Sequence, residues 1–115
     1  MIEFNNIQTA LNNFEQAATK HADATEQGDY KVANACYTTI SETVKFLKKN
    51  GKLSELKAYL NHSAIGVRIW AATNLLPVLE SEAMETLEQI AKESGIHSLD
   101  AEITIREWKK GNLRG

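Results

Sequence analysis

Three histidines and one cysteine are the side chains of this chain best suited to metal binding or nucleophilic chemistry. His21, His62 and His97 lie far apart in the sequence, and no spacing of acids and histidines resembles a zinc site. Cys36 falls on an apolar helical face with no basic residue in the same turn to activate its thiol, so we expect it to be buried and inert. A glycine-rich phosphate loop and a nucleophile elbow are both missing. The sequence therefore predicts no enzyme activity, no metal and no cofactor.

Acidic residues form two clusters that bear on binding. The first cluster precedes the second predicted helix and consists of Asp23, Glu26 and Asp29. The second lies at the start of the fifth predicted helix and consists of Glu80, Glu82, Glu85 and Glu88. Carboxylates at a helix start are ordinarily explained by the helix dipole and by solvation. The alternative is an acidic rim that steers a basic partner and accepts its Lys and Arg side chains. Both interpretations fit the sequence.

Length and composition indicate a globular helical protein. A chain of 115 residues predicts a single domain spanning residues 1–115. The hydrophobic fraction of 43% is enough for a buried core. Glycine is sparse and Pro77 is the one proline, which favours long helices over many short strands.

Charge and cysteine content narrow the class of partner and the compartment. Thirteen basic and fifteen acidic residues give a net charge of −2, which argues against direct nucleic-acid binding through a basic face and permits a basic protein partner. A lone cysteine excludes an intramolecular disulfide and fits a reducing compartment. The start of the chain lacks the pattern of a signal peptide, and no apolar run approaches the ~20 residues of a membrane span. We expect a cytoplasmic protein that binds no membrane.

Hydrophobic periodicity predicts six helices and no strand. Their approximate ranges are 2–25, 30–49, a short helix over 53–60, 63–76, 81–93 and 98–110. The predicted N-caps are Asp29, Ser63, Ser81 and Ser98, and the predicted stops are Asn50-Gly51, Pro77, Ser94-Gly95 and Gly111. Because every connection is short, neighbouring helices should run antiparallel as three hairpins.

Two segments suggest how these hairpins stack. The segment from His62 to Leu76 has the form of the second helix of a HEAT-type repeat: a polar turn, then Val-Arg, then small alanines that allow close helix approach. About 35 residues later a second His-Ser turn, at His97, opens another helix, a spacing near one helical repeat. The expected fold is all-α, with six antiparallel helices as three stacked hairpins in a HEAT/armadillo-like α-solenoid.

Two residues of the predicted fourth helix depart from its apolar pattern. Trp70 falls outside the apolar arc, either because an adjacent hairpin covers it or because it is an exposed binding anchor. Arg68 lies inside the arc, and a buried guanidinium must be paired, so we expect a structural bridge to an acidic or carbonyl group of a neighbouring turn. Asp100 and Glu102 are the candidate partners of Arg68.

The predicted last helix carries two apolar patches. Leu99 and Ile103 form one, and Ala101, Ile105 and Trp108 form the other. Such a helix is either sandwiched or carries an exposed interaction surface. Burial preference favours a structural, core position for Trp108.

Nearly the whole chain resembles a family of small bacterial all-helical proteins with HEAT-like repeats and no assigned enzyme activity. The resemblance is carried by Asp29-Tyr30-Lys31-Val32-Ala33-Asn34, by Val67-Arg68-Ile69-Trp70-Ala71-Ala72-Thr73, and by the segment from Asp100 to Trp108. That family usually has Pro or Asp-Pro in the turn before Val-Arg, where this chain has Ala64-Ile65-Gly66.

Members of such families are often found among polymorphic-toxin immunity genes. The resemblance implies an immunity protein that occludes the active site of a contact-dependent growth inhibition toxin, for example a basic nuclease domain. The alternative is a general HEAT-like scaffold or adaptor; a small-molecule substrate is not expected. The candidate partner-binding residues are exposed acids and aromatics: Tyr59, Trp70, Glu82, Glu85, Asp100 and Glu102.

Overall fold

The computed structural model describes residues 6–93 and 95–111. Over these residues it contains six helices and no strand, which confirms the predicted all-helical class. The chain divides into two compact units, Met1–Leu56 and Lys57–Gly115. Within the described ranges, no helix has the length and apolar character needed to cross a bilayer.

The first unit is built on an antiparallel helical hairpin. Helix α1 spans Ile7–Gln27, and the Asn6 side chain caps it by accepting a hydrogen bond from the Thr9 N–H at 2.8 Å. Helix α2 spans Tyr30–Lys49, as predicted, and Asp29 caps it through the Val32 N–H. The predicted start of α1 near Ile2 lies outside the described residues.

Small side chains bring α1 and α2 together. The buried residues of α1 are mostly alanines, and Phe14 is the largest of them: Ala10, Leu11, Phe14, Ala17, Ala18, Ala22 and Ala24. The facing row of α2 consists of Ala33, Cys36, Ile40, Thr43, Val44 and Leu47. Tyr37 lies at the margin of the buried arc and is exposed, because a tyrosine at such a position can turn toward solvent.

Four helical segments follow the hairpin. A 3₁₀ helix spans Leu53–Tyr59, across the division between the units. The second unit then contains α3 (Ile65–Leu75), α4 (Glu80–Ala91) and α5 (Ile96–Lys109). Helix α4 packs against both α3 and α5, and α3 also contacts α5. Their buried side chains include Val67, Ile69, Ala71, Ala72, Leu75, Ala83, Leu87, Ile90, Ala101 and Trp108.

The three serine N-caps predicted in the second unit are wrong. The N-cap residues of α3, α4 and α5 are Ala64, Leu79 and Gly95, and none of them makes a side-chain capping hydrogen bond. The tight turn after α3 delivers the chain into α4 at Glu80, so Ser81 is already helical. Gly95 (φ 121°) lets α5 begin at Ile96, and Ser98, inside the helix, donates to the Gly95 carbonyl oxygen.

The two turn histidines are not equivalent in the structure. His62 lies in the turn before α3, where its Nδ1 accepts the Ala64 N–H at 2.9 Å. This bond closes the turn at the position where Ser63 was expected to act. His97 was expected in a turn but is the second residue of α5. The sequence similarity of the two His-Ser segments therefore does not extend to their backbone.

Candidate protein interface on the last helix

Helix α5 presents an apolar row to solvent on the side opposite its buried face. Ala101 and Trp108 are buried, whereas Ile96, Leu99 and Ile103 are 45%, 59% and 51% exposed. These three residues follow one another at three- and four-residue steps, so they lie along one line on the helix. We call them the α5 row. Of the two apolar patches predicted for this helix, the one containing Leu99 and Ile103 is therefore the outward one.

Carboxylates border the α5 row on both sides. At 100° per residue, Asp100 projects to one side of the row and Glu102 to the other. Both residues are exposed. These two carboxylates are the acidic edges of the row, and they give an apolar surface of three side chains a local negative field. Such a surface matches a partner that combines apolar and basic side chains.

The charge along α5 changes sign after the row. Arg106, Lys109 and Lys110 are exposed and follow Ile103 at the carboxyl end of the helix. Cations at this end are stabilised by the helix dipole. The outward surface of α5 thus passes from apolar and acidic to basic within its last two turns.

Trp108 fixes α5 to the start of α4. Its indole is 5% exposed, and its Nε1–H donates a hydrogen bond to Glu80 Oε2 at 2.6 Å. A short bond to a carboxylate is among the stronger hydrogen bonds in proteins. Glu80, one of the four acids predicted at the start of the fifth helix, therefore has a structural partner, and Trp108 belongs to the core of its unit.

The predicted acidic partners of Arg68 are wrong. Its Nη1 lies 3.4 Å from Oε2 of Glu93, after α4, and not beside Asp100 or Glu102. The side chain is 22% exposed, and its buried Nε has no hydrogen-bond partner among the described residues. Asp100 and Glu102 instead face solvent on α5. The pairing depends on where the end of α4 lies in three dimensions, which helix patterns along the chain do not show.

Replacing Arg68 by methionine is expected to leave the free energy of unfolding within about 1 kcal/mol of wild type. The buried Nε without a partner costs about 1–3 kcal/mol, and methionine removes it while retaining most of the packed stem. The pair lost with Glu93 is long, and that carboxylate is half exposed, so its contribution is small. Urea unfolding followed by circular dichroism measures the change, with Glu93→Gln as the control. A loss above about 2 kcal/mol for Arg68→Met would show a structural ion pair.

The remaining predicted contact residues are distributed over three other segments. Tyr59 is half-buried in the 3₁₀ helix, with its ring 6.0 Å from that of His62 in an edge-on arrangement. Trp70 is half-buried on α3. On α4, Glu85 is exposed, and Glu82 forms an ion pair with Lys57 at 3.4 Å. The structure thus brings together only Asp100 and Glu102 of the predicted set, at the edges of the α5 row.

Sequence reasoning missed the α5 row as a site, although it recognised two of its members as a patch. The missing member is Ile96, which lies before the helix if Ser98 is its cap, whereas in the structure the helix begins at Ile96. The available signal was the spacing 96, 99, 103, which a helix starting after Gly95 places on a single line. The choice between inward and outward patches required the packing of Trp108.

Among the described residues, no group of three or more His, Cys, Asp or Glu side chains is arranged to hold a metal ion. Cys36 is buried on α2. When the chain is compared with known proteins, it matches no protein-family model, no curated protein and no solved structure.

Proposed function

We propose that this protein binds another protein through the α5 row and its acidic edges. The observation that carries the proposal is the half exposure of Ile96, Leu99 and Ile103 on the side of α5 opposite Trp108. A row of exposed aliphatic side chains within a polar surface is typical of a protein interaction site. Its aliphatic side chains would contribute binding free energy by burying apolar surface once a partner excludes water from them.

More specifically, we propose that this protein is a cytoplasmic immunity protein that neutralises a bacterial contact-dependent growth inhibition toxin. The resemblance described above supports this form, as do the carboxylates of Asp100 and Glu102, which would occupy positions where a nuclease binds phosphate. Preorganised helices lose little conformational entropy on docking. An interface of about 1,600 Å² in total would then block a basic active-site cleft. HEAT-like stacking of the hairpins is part of this proposal.

The test is co-expression in a bacterial host with the C-terminal domain of a large secreted effector whose gene lies directly upstream, an arrangement that the proposal requires. Protection by wild type and its loss in Leu99→Ser/Ile103→Ser would support the proposal. Replacing two buried aliphatic side chains by serine is expected to reduce affinity by about 100-fold, because each loses about 1.4 kcal/mol or more of apolar burial. The matched control is Val78→Ser, which removes an aliphatic side chain of similar exposure (53%) outside the row.

Two outcomes would contradict the immunity proposal: the lack of such a neighbouring effector gene, and failure of the wild-type chain to bind or protect. Equal protection by the row variant and the Val78→Ser control would instead contradict the α5 row as the binding surface. Charge reversal at Asp100 and Glu102 adds a kinetic readout. If these carboxylates steer the partner, the charge-reversal variant should associate more slowly than wild type at low salt. The difference between the two association rates should shrink as salt is added.

A further inference from the structure

The α5 row has the spacing of one side of a two-helix coiled coil. Ile96, Leu99 and Ile103 are separated by three and four residues, which corresponds to successive a, d and a positions of a heptad. Asp100 then takes an e position and Glu102 a g position, the two positions that flank such a row and face the partner helix. A helix is therefore the element whose shape fits this surface.

Charge argues against a second copy of α5 as that helix. In a parallel pair, a g position faces the following e position of the other copy, which sets Glu102 opposite Glu107. In an antiparallel pair that matches Ile96 with Ile103, the two Asp100 carboxylates come to the same level on one edge. Both arrangements that bury the row place like charges together, and this is unfavourable.

The apolar area of the α5 row is by itself too small to hold any partner stably. A stable interface buries about 800 Å² on each partner. Three aliphatic side chains that are already half covered supply only a small part of that area. The partner must therefore gain additional binding free energy by pairing with the carboxylates at the edges of the row. Only a partner with basic side chains can form these pairs.

We propose that the α5 row receives one amphipathic helix of another protein, whose apolar side is bordered by Lys or Arg. Aliphatic side chains of that helix cover Leu99 and Ile103, and its basic residues pair with Asp100 and Glu102. Beyond the row, Arg106 and Lys110 occupy the next d and a positions. The basic residues of the partner helix must therefore lie over the first two turns of α5, away from Arg106 and Lys110. This limits the partner helix to that part of α5. This inference rests on the proposed function in that both place binding at the α5 row.

The experiment titrates the full chain, labelled with ¹⁵N, with two monomeric alanine-rich helical peptides. Both carry leucine at positions i, i+3 and i+7; one has lysine on both sides of this row, and the other has glutamate at the same positions. The lysine peptide is expected to shift the amide resonances of Ile96, Leu99 and Ile103 and to bind at least about tenfold more tightly than the glutamate peptide. Its affinity should fall by about tenfold in Leu99→Ser and stay unchanged in Val78→Ser.

Equal binding of the two peptides, no binding of the lysine peptide, or shifts centred away from α5 would overturn the inference. Resonance shifts of the α5 row that grow with protein concentration in the absence of peptide would also overturn it, since they would identify a second copy as the occupant. The inference and the proposed function fail separately. Toxin protection without peptide binding removes only the helical partner, whereas selective peptide binding without protection removes only the immunity role.

Discussion

Replacing Trp108 by alanine is expected to lower the free energy of unfolding by about 3–5 kcal/mol. The indole is 5% exposed and joins α5 to α4, so truncation leaves a cavity at that contact. It also removes the hydrogen bond to Glu80. Urea unfolding followed by far-UV circular dichroism measures the loss, and amide hydrogen exchange should show reduced protection in α4 and α5.

Two substitutions separate the ring from its hydrogen bond. Trp108→Phe keeps most of the buried volume and removes the N–H donor, so we expect a loss of about 1–2 kcal/mol. Glu80→Gln keeps an acceptor oxygen and should cost less than Trp108→Phe. If the free energy of unfolding of Trp108→Ala lies within about 1 kcal/mol of the wild-type value, the indole does not belong to the core.

The substitution Phe14→Ala is expected to destabilise the first unit by about 3–5 kcal/mol. Phe14 is fully buried and is the largest buried side chain on α1, whose other buried residues are mostly alanines. These short side chains cannot move into the space that the ring leaves, so the cavity stays largely open. The loss is measured by urea unfolding, and reduced amide protection in α1 and α2 places it in this unit.

Phe14→Leu is the matched control because leucine retains most of the buried apolar volume of the phenylalanine. We expect it to cost about 1 kcal/mol, well below the alanine variant. Equal stability of the leucine and alanine variants would contradict a tightly packed contact between α1 and α2.

The helices were largely predictable because their signals are local. The bounds of α2 follow from Asp29, which accepts the Val32 N–H, and from Asn50-Gly51 at its end, and the structure has the helix over Tyr30–Lys49. The caps of the second unit failed because a serine next to a helix start is only one way to satisfy the first N–H groups. His62 performs that role for Ala64, and the turn after α3 leads directly into α4.

The candidate site was predictable in part. Asp100 and Glu102 were selected as exposed acids, and the structure places both at the edges of the α5 row. Their assignment as partners of Arg68 was wrong, because that ion pair depends on where the end of α4 lies in three dimensions. Ile96 is absent from the predicted site because a two-residue error in a helix start moves a residue from the helix into the preceding loop.

The sequence by itself determined the helical class and the order of the segments, since hydrophobic spacing and breakers act within a few residues of each other along the chain. It also determined that the last helix is apolar on two sides. Only the tertiary structure decided which side faces solvent. Trp108, held by Glu80 from another helix, takes the buried position and turns Leu99 and Ile103 outward. That choice depends on contacts between residues distant in sequence, which local periodicity does not encode.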